Sequence, residues 1–83
     1  MPKLVIPVEI EALEEGGYLA TCKAIQGCHA EGETVAEALD NLEDVARIIL
    51  ELMREDGLPL PEGLEPFEAS TIIKAQLVVT AAE

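Results

Sequence analysis

From Leu4 to Ala12 the chain alternates, with Leu4, Ile6, Val8, Ile10 and Ala12 on one side and Glu9 and Glu11 on the other. A period of two predicts a β-strand with one face towards a core. Pro7 has no N–H to give to a ladder, which places this strand near an edge or leaves one of its sides to water. Glu14-Glu15-Gly16-Gly17 follows. Two adjacent glycines supply the positive φ angles of a tight hairpin, so Tyr18 to Ala24 is expected to return antiparallel, with Tyr18, Ala20 and Cys22 sharing a face. Gly27 interrupts, and Cys28-His29-Ala30-Glu31 is predicted to be a short third strand closed by Gly32.

The periodicity then changes to that of a helix. Val35, Ala38, Leu39, Leu42, Ala46, Ile49, Leu50 and Met53 follow helical spacing, and Gly57 ends the run as a C′ residue. Thr34 is a good N-cap, and Glu37 three residues on completes a capping box that also places negative charge at the positive helix end. Val45, Ile48 and Leu52 fall outside the main stripe and widen the apolar arc to roughly 200°. One sheet does not cover an arc that wide. Either the proline-rich segment after the helix folds back over these three residues, or another subunit or partner does. On the polar face, Glu43 with Arg47 and Arg47 with Glu51 are i,i+4 pairs of ordinary solvated charges.

Leu58 to Pro66 holds Pro59, Pro61 and Pro66 and reads as an extended connection. Ser70 to Thr80 is predicted as the last strand, with Thr71, Ile73, Ala75, Leu77 and Val79 on one face and Ile72, Lys74, Gln76 and Val78 on the other. Apolar residues on both faces mark it for pairing with another chain. Val45, Ile48, Leu52, Ile72 and Val78 are therefore the expected oligomer surface of a homodimer or larger assembly. In all, the segments describe one α+β domain over residues 1–83, a β-β-β-α-β chain in which an antiparallel sheet of three to four strands carries one long helix on one face.

Composition narrows the function classes. Seventeen acidic against five basic residues give a net charge of -12, while 49% of the residues are hydrophobic. So large an apolar fraction separates the chain from disordered acidic tails. A domain of this size buries a modest share of its surface, which favours support from a partner or from self-association. The charge repels phosphate backbones and anionic lipid, so direct binding to nucleic acid or membrane is not expected. An N-terminus with Pro7 in its apolar run and acids from Glu9 onward is not a signal peptide, and no run approaches the length of a membrane span. A cytoplasmic location follows as the expectation.

Catalytic chemistry finds no constellation. His29 is the one histidine and Ser70 the one serine, and neither has the partners of a nucleophilic site. Cys22 and Cys28 are expected as reduced, half-buried thiols, and with His29 they lack the paired spacing of a zinc site. The glycines lack a phosphate-loop spacing. No cofactor or metal is expected, and the chain is read as a non-enzyme. A remnant metal-dependent nuclease would require Glu9 or Glu11 to converge with Glu31 or Glu33.

Three blocks carry a family resemblance: Glu15-Gly16-Gly17-Tyr18-Leu19-Ala20; Gly27-Cys28-His29-Ala30-Glu31-Gly32-Glu33-Thr34 through Val35-Ala36-Glu37-Ala38-Leu39; and Glu55-Asp56-Gly57-Leu58-Pro59-Leu60-Pro61. Together they resemble the HicB-like antitoxin family, the UPF0150-type small proteins, over roughly Val8 to Gly63. The resemblance implies a reduced relative of the ribonuclease H fold. It also implies a function, binding and neutralising small basic HicA-type toxins that cleave messenger RNA. Gly27, Cys28, His29 and Gly32 are the positions expected to shape the partner surface, mostly through backbone conformation. Lys23-Ala24-Ile25-Gln26 departs from the proline- and aspartate-containing family segment at the same place. Only Ala81-Ala82-Glu83 follows the last predicted strand, so this chain is expected to lack the C-terminal DNA-binding module that many such proteins carry. An orphan oligomer without a toxin is the alternative.

Overall fold

In the computed structural model, which describes residues 3–82, Pro7 divides the first predicted strand into β1 (Leu4–Val5) and β2 (Glu9–Ala12). β2, β3 (Tyr18–Thr21) and β4 (His29–Gly32) form an antiparallel meander in that order. α1 (Val35–Glu55) packs on one face of it, against β3 and β4. After the helix, β5 (Glu65–Pro66) pairs antiparallel with β1, Leu4 opposite Pro66 and Val5 opposite Glu65. The α+β class and the order of strands and helix are those predicted from the sequence.

Both ends of α1 are fixed by the signals that predict them. Thr34 Oγ1 accepts the N–H of Glu37 at 3.0 Å. The Glu37 carboxylate accepts in return from the N–H of Glu33 at 2.8 Å, one residue earlier than in the usual reciprocal box. At the other end Gly57 takes φ +71°, the Leu58 N–H reaches the Met53 carbonyl at 2.9 Å and the Gly57 N–H reaches the Arg54 carbonyl at 3.0 Å. These two bonds are a Schellman closure. Arg47 meets Asp44 at 2.8 Å and Glu43 at 3.8 Å, so its i−3 neighbour takes the place of the expected Glu51.

The core is built from small residues. Ala20, Cys22, Ile25, Cys28, Ala38, Leu42 and Ala46 are buried. Alanines on both β3 and α1 allow the helix axis to approach the sheet closely, and Leu42 fills the centre. Because α1 lies over β3 and β4, β2 projects beyond it. Ile10 and Ala12, predicted to face the core, are consequently exposed, whereas Ile6 and Val8 pack against the core edge.

One of the two alternatives for the second helix flank falls, and one expectation is corrected. The proline-rich connection does not cover the second apolar flank of the helix: it runs towards β1 and seats Leu64 at the core, leaving Ile48 54% and Leu52 55% exposed, while Val45 packs against the core. The strand predicted over Ser70 to Thr80 joins no ladder. Only Glu65 and Pro66 pair, and from Ile72 to Thr80 the backbone carries no regular element. β1 offers two residues before Pro7 breaks the ladder, and both are already taken by β5.

Candidate interaction surface

The register of the meander sorts its side chains into two faces. Ile10, Ala20 and Ala30 lie opposite one another, and Ala20 is fully buried under the helix. The neighbouring rows therefore point the other way. One is Glu9, Thr21 and His29; the other is Glu11, Leu19 and Glu31. The outer face of the sheet thus carries three glutamates and the single histidine around half-buried Leu19. Glu9 is held by Lys23, Nζ to Oε1 at 3.0 Å, and both side chains are exposed.

One end of this face continues into a shallow acidic recess of about 520 Å³ where the hairpin meets the helix start. Glu15, Glu31, Glu33 and Glu37 line it together with Gly16, Gly17 and Gly32. Alternating strands and a helix N-terminus thereby bring acids that are distant in sequence onto one side of the molecule. An apolar centre at Leu19 with a carboxylate surround suits a cationic protein surface, because the charges stay solvated until a partner arrives and steer its approach. Glu11 and Glu31 are separated by β3, about 10 Å at the usual spacing of strands. Among the described residues no three His, Cys, Asp or Glu side chains are placed to hold a metal ion. The convergence that a nuclease reading requires is not formed by these residues.

The four positions expected to shape the surface occupy different roles in the loop and strand that support it. Gly27 takes φ +77° at the end of the turn from Lys23. Cys28 is buried, 2% exposed, and its carbonyl accepts the Cys22 N–H at 2.9 Å. Burial pushes the Cys28 thiol above its ordinary pKa, and the adjacent Cys22 sulfur adds to the shift by charge and by hydrogen bonding. His29 is exposed on the outer face. Gly32 turns inward, beneath the first turn of α1. Of the four, His29 alone offers a side chain to the outer face.

Two supporting residues were not singled out from the sequence. Ile25 is 1% exposed and pins the loop between Cys22 and Cys28, with its N–H on the Cys22 carbonyl and its carbonyl accepting from Cys28. Asn41 donates from Nδ2 to the Glu31 carbonyl at 2.8 Å, tying β4 to the helix. An amide within a helix and one branched aliphatic in a polar loop are the signals that mark them. Among the oligomer positions, Ile72 and Val78 are 82% and 75% exposed. Among the described residues no helix is long and apolar enough to cross a membrane.

No family model matches the chain. Similar proteins are nevertheless found in Synechocystis sp. The UPF0150 protein ssl0738 is 45% identical over 53 residues, 60% of this chain and 74% of that one. The UPF0150 protein ssr1765 is 33% identical over 55 residues, covering 66% and 70%. The UPF0150 protein ssl0259 is 38% identical over 55 residues, covering 66% and 75%.

Proposed function

The chain belongs to the UPF0150 family, and on that premise we propose that it is a HicB-like antitoxin, a non-catalytic interaction protein that binds and neutralises a small basic toxin of the mRNA-cleaving HicA type. The observation that carries the reading is the acidic outer face of the sheet, Glu9, Glu11 and Glu31 around Leu19, in a chain of net charge -12. A ribonuclease must present cations to RNA phosphates. A surface of carboxylates competes for those cations, and an apolar centre excludes water once the two surfaces meet. Neutralisation then needs only occupancy of the RNA-binding face. The partner is a cytoplasmic basic protein, and neither nucleic acid nor membrane is contacted by the antitoxin itself.

Co-expression with the product of the neighbouring reading frame tests this. A short basic protein that arrests growth alone, is tolerated with this chain, and co-purifies with it as a salt-sensitive 1:1 complex supports the reading. If no such protein is encoded nearby and none co-purifies, the reading fails. An oligomer without a toxin is then the better account, and the exposed apolar segment from Ile72 to Val79 favours it.

A further inference from the structure

Beyond Thr71 the chain leaves the body of the protein. The Phe67 N–H bonds the Lys3 carbonyl at 2.8 Å, and a local turn follows in which the Thr71 N–H reaches the Glu68 carbonyl at 3.0 Å and the Glu68 N–H reaches Thr71 Oγ1 at 2.8 Å. From Ile72 to Ala82 every residue is exposed, Leu77 at 86%. The radius of gyration is 14.4 Å, against about 12 Å for a compact chain of this length. The arm is therefore extended.

Its chemistry is unlike that of the body. Residues 69–82 contain no Asp or Glu and one Lys, Lys74, whereas the rest of the chain carries all seventeen acids. Ile72, Ile73, Leu77, Val78 and Val79 are large and apolar. Thr71, Ile72, Ile73, Val78, Val79 and Thr80 are β-branched, and neither Gly nor Pro follows Pro66. Such a segment stays extended and does not reverse sharply onto its own body.

The body in turn has an open apolar groove of about 1070 Å³ between β1, the helix and the chain that follows it. Leu4, Ile6, Val8, Leu39, Leu50 and Phe67 are among its walls, and no residue of the arm enters it. We propose that the arm from Ile72 to Val79 seats in this groove of a second copy, and that the second copy returns its own arm, giving a twofold arm-exchanged dimer. Charge selects the occupant. Two acidic bodies repel when brought face to face, and the acid-free arm is the part of one that approaches the other without that cost. A reciprocal exchange also covers both arms and both grooves in one closed contact. The contact requires no toxin, so it stands or falls separately from the antitoxin reading.

Size-exclusion chromatography with light scattering on the full chain tests the exchange. The wild type is expected at twice 8.9 kDa. Leu77→Asp with Val79→Asp, which alter no contact of the body, is expected at 8.9 kDa with the helical circular dichroism unchanged. Leu39→Glu, at a groove position already 39% exposed, should also give the single-chain mass. Ile48→Glu with Leu52→Glu, on the other helix flank, should remain dimeric. A single-chain wild type, a dimer that survives the arm variant, or a dimer abolished only by the Ile48 and Leu52 changes would each overturn the proposal. Should Leu39→Glu unfold the chain, mixing equal amounts of the wild type carrying a donor dye on residue 80 and the wild type carrying an acceptor dye on residue 40, an exposed helix position outside the groove walls, decides it. Efficient transfer between copies supports the exchange, and its absence refutes it.

Discussion

Gly32 and Ala38 are in backbone contact. A Cβ on Gly32 would lie 2.3 Å from the Ala38 nitrogen and 2.8 Å from its Cα, well inside van der Waals separation. The obstacle is helix backbone, which has no flexible end to swing aside. Gly32→Ala is therefore expected to push β4 and the start of α1 apart, at a cost of about 1–3 kcal/mol. Urea denaturation followed by helical circular dichroism measures it. By contrast, Cβ space is open at Gly16, so Gly16→Ala meets only the strain of its positive φ and should cost less.

The helix start gives a second prediction. Thr34 Oγ1 holds the Glu37 N–H at 3.0 Å on an exposed surface, where its removal leaves no cavity. Thr34→Ala should cost about 1 kcal/mol and lower the melting temperature by roughly 4–8 °C for a domain of this size. Thr34→Ser should retain most of that stability. Differential scanning calorimetry distinguishes the two variants.

Much of this architecture is legible in the sequence because local rules act on it. Gly16-Gly17, Thr34 with Glu37, and Gly57 fix the hairpin and both helix ends through short-range bonds that any context would preserve. The outer face is legible as well, since Glu9 and Glu11 alternate with apolar residues. What is not legible depends on distant geometry. Ile10 fits a buried position by periodicity but is exposed because α1 lies over β3 and β4. Ser70 to Thr80 has the composition of a strand, yet it pairs with neither sheet, because composition gives a segment strand character without giving it a partner edge. Gly32 suggests a turn, whereas its lack of a side chain serves the approach of the helix.

Cys22 and Cys28 should react slowly with an aromatic disulfide reagent in the native protein and immediately in guanidinium, because both are buried. Stability should also fall in alkali. The folded Cys28 thiol holds its proton to higher pH than the unfolded one, so above the ordinary thiol pKa of about 8.5 the unfolded chain binds fewer protons. The contribution is complete below that pH and is lost as the pH rises through the raised folded value. Chemical denaturation between pH 7 and 10 should show this slope, and Cys28→Ala should remove the part due to that thiol.

Arg47 provides a contrast. Its ion pairs with Asp44 and Glu43 lie among exposed side chains, where such pairs contribute up to about 1 kcal/mol and often less. Arg47→Ala is expected to shift the denaturation midpoint only slightly, and added salt should shrink the difference further.

The acidic face of the sheet is proposed to bind a basic partner. The most direct measurement is titration of the co-expressed basic protein into this chain by calorimetry across a salt series, using the wild type and Glu11→Lys with Glu31→Lys. These two side chains sit on the outer face and point away from the helix, so the variant should fold normally. The predicted result is 1:1 binding that weakens steadily with salt and is at least roughly tenfold weaker in the variant, as expected when interfacial charges are reversed. Binding of equal strength in both proteins, or affinity indifferent to salt, would show that the acidic face is not the binding surface.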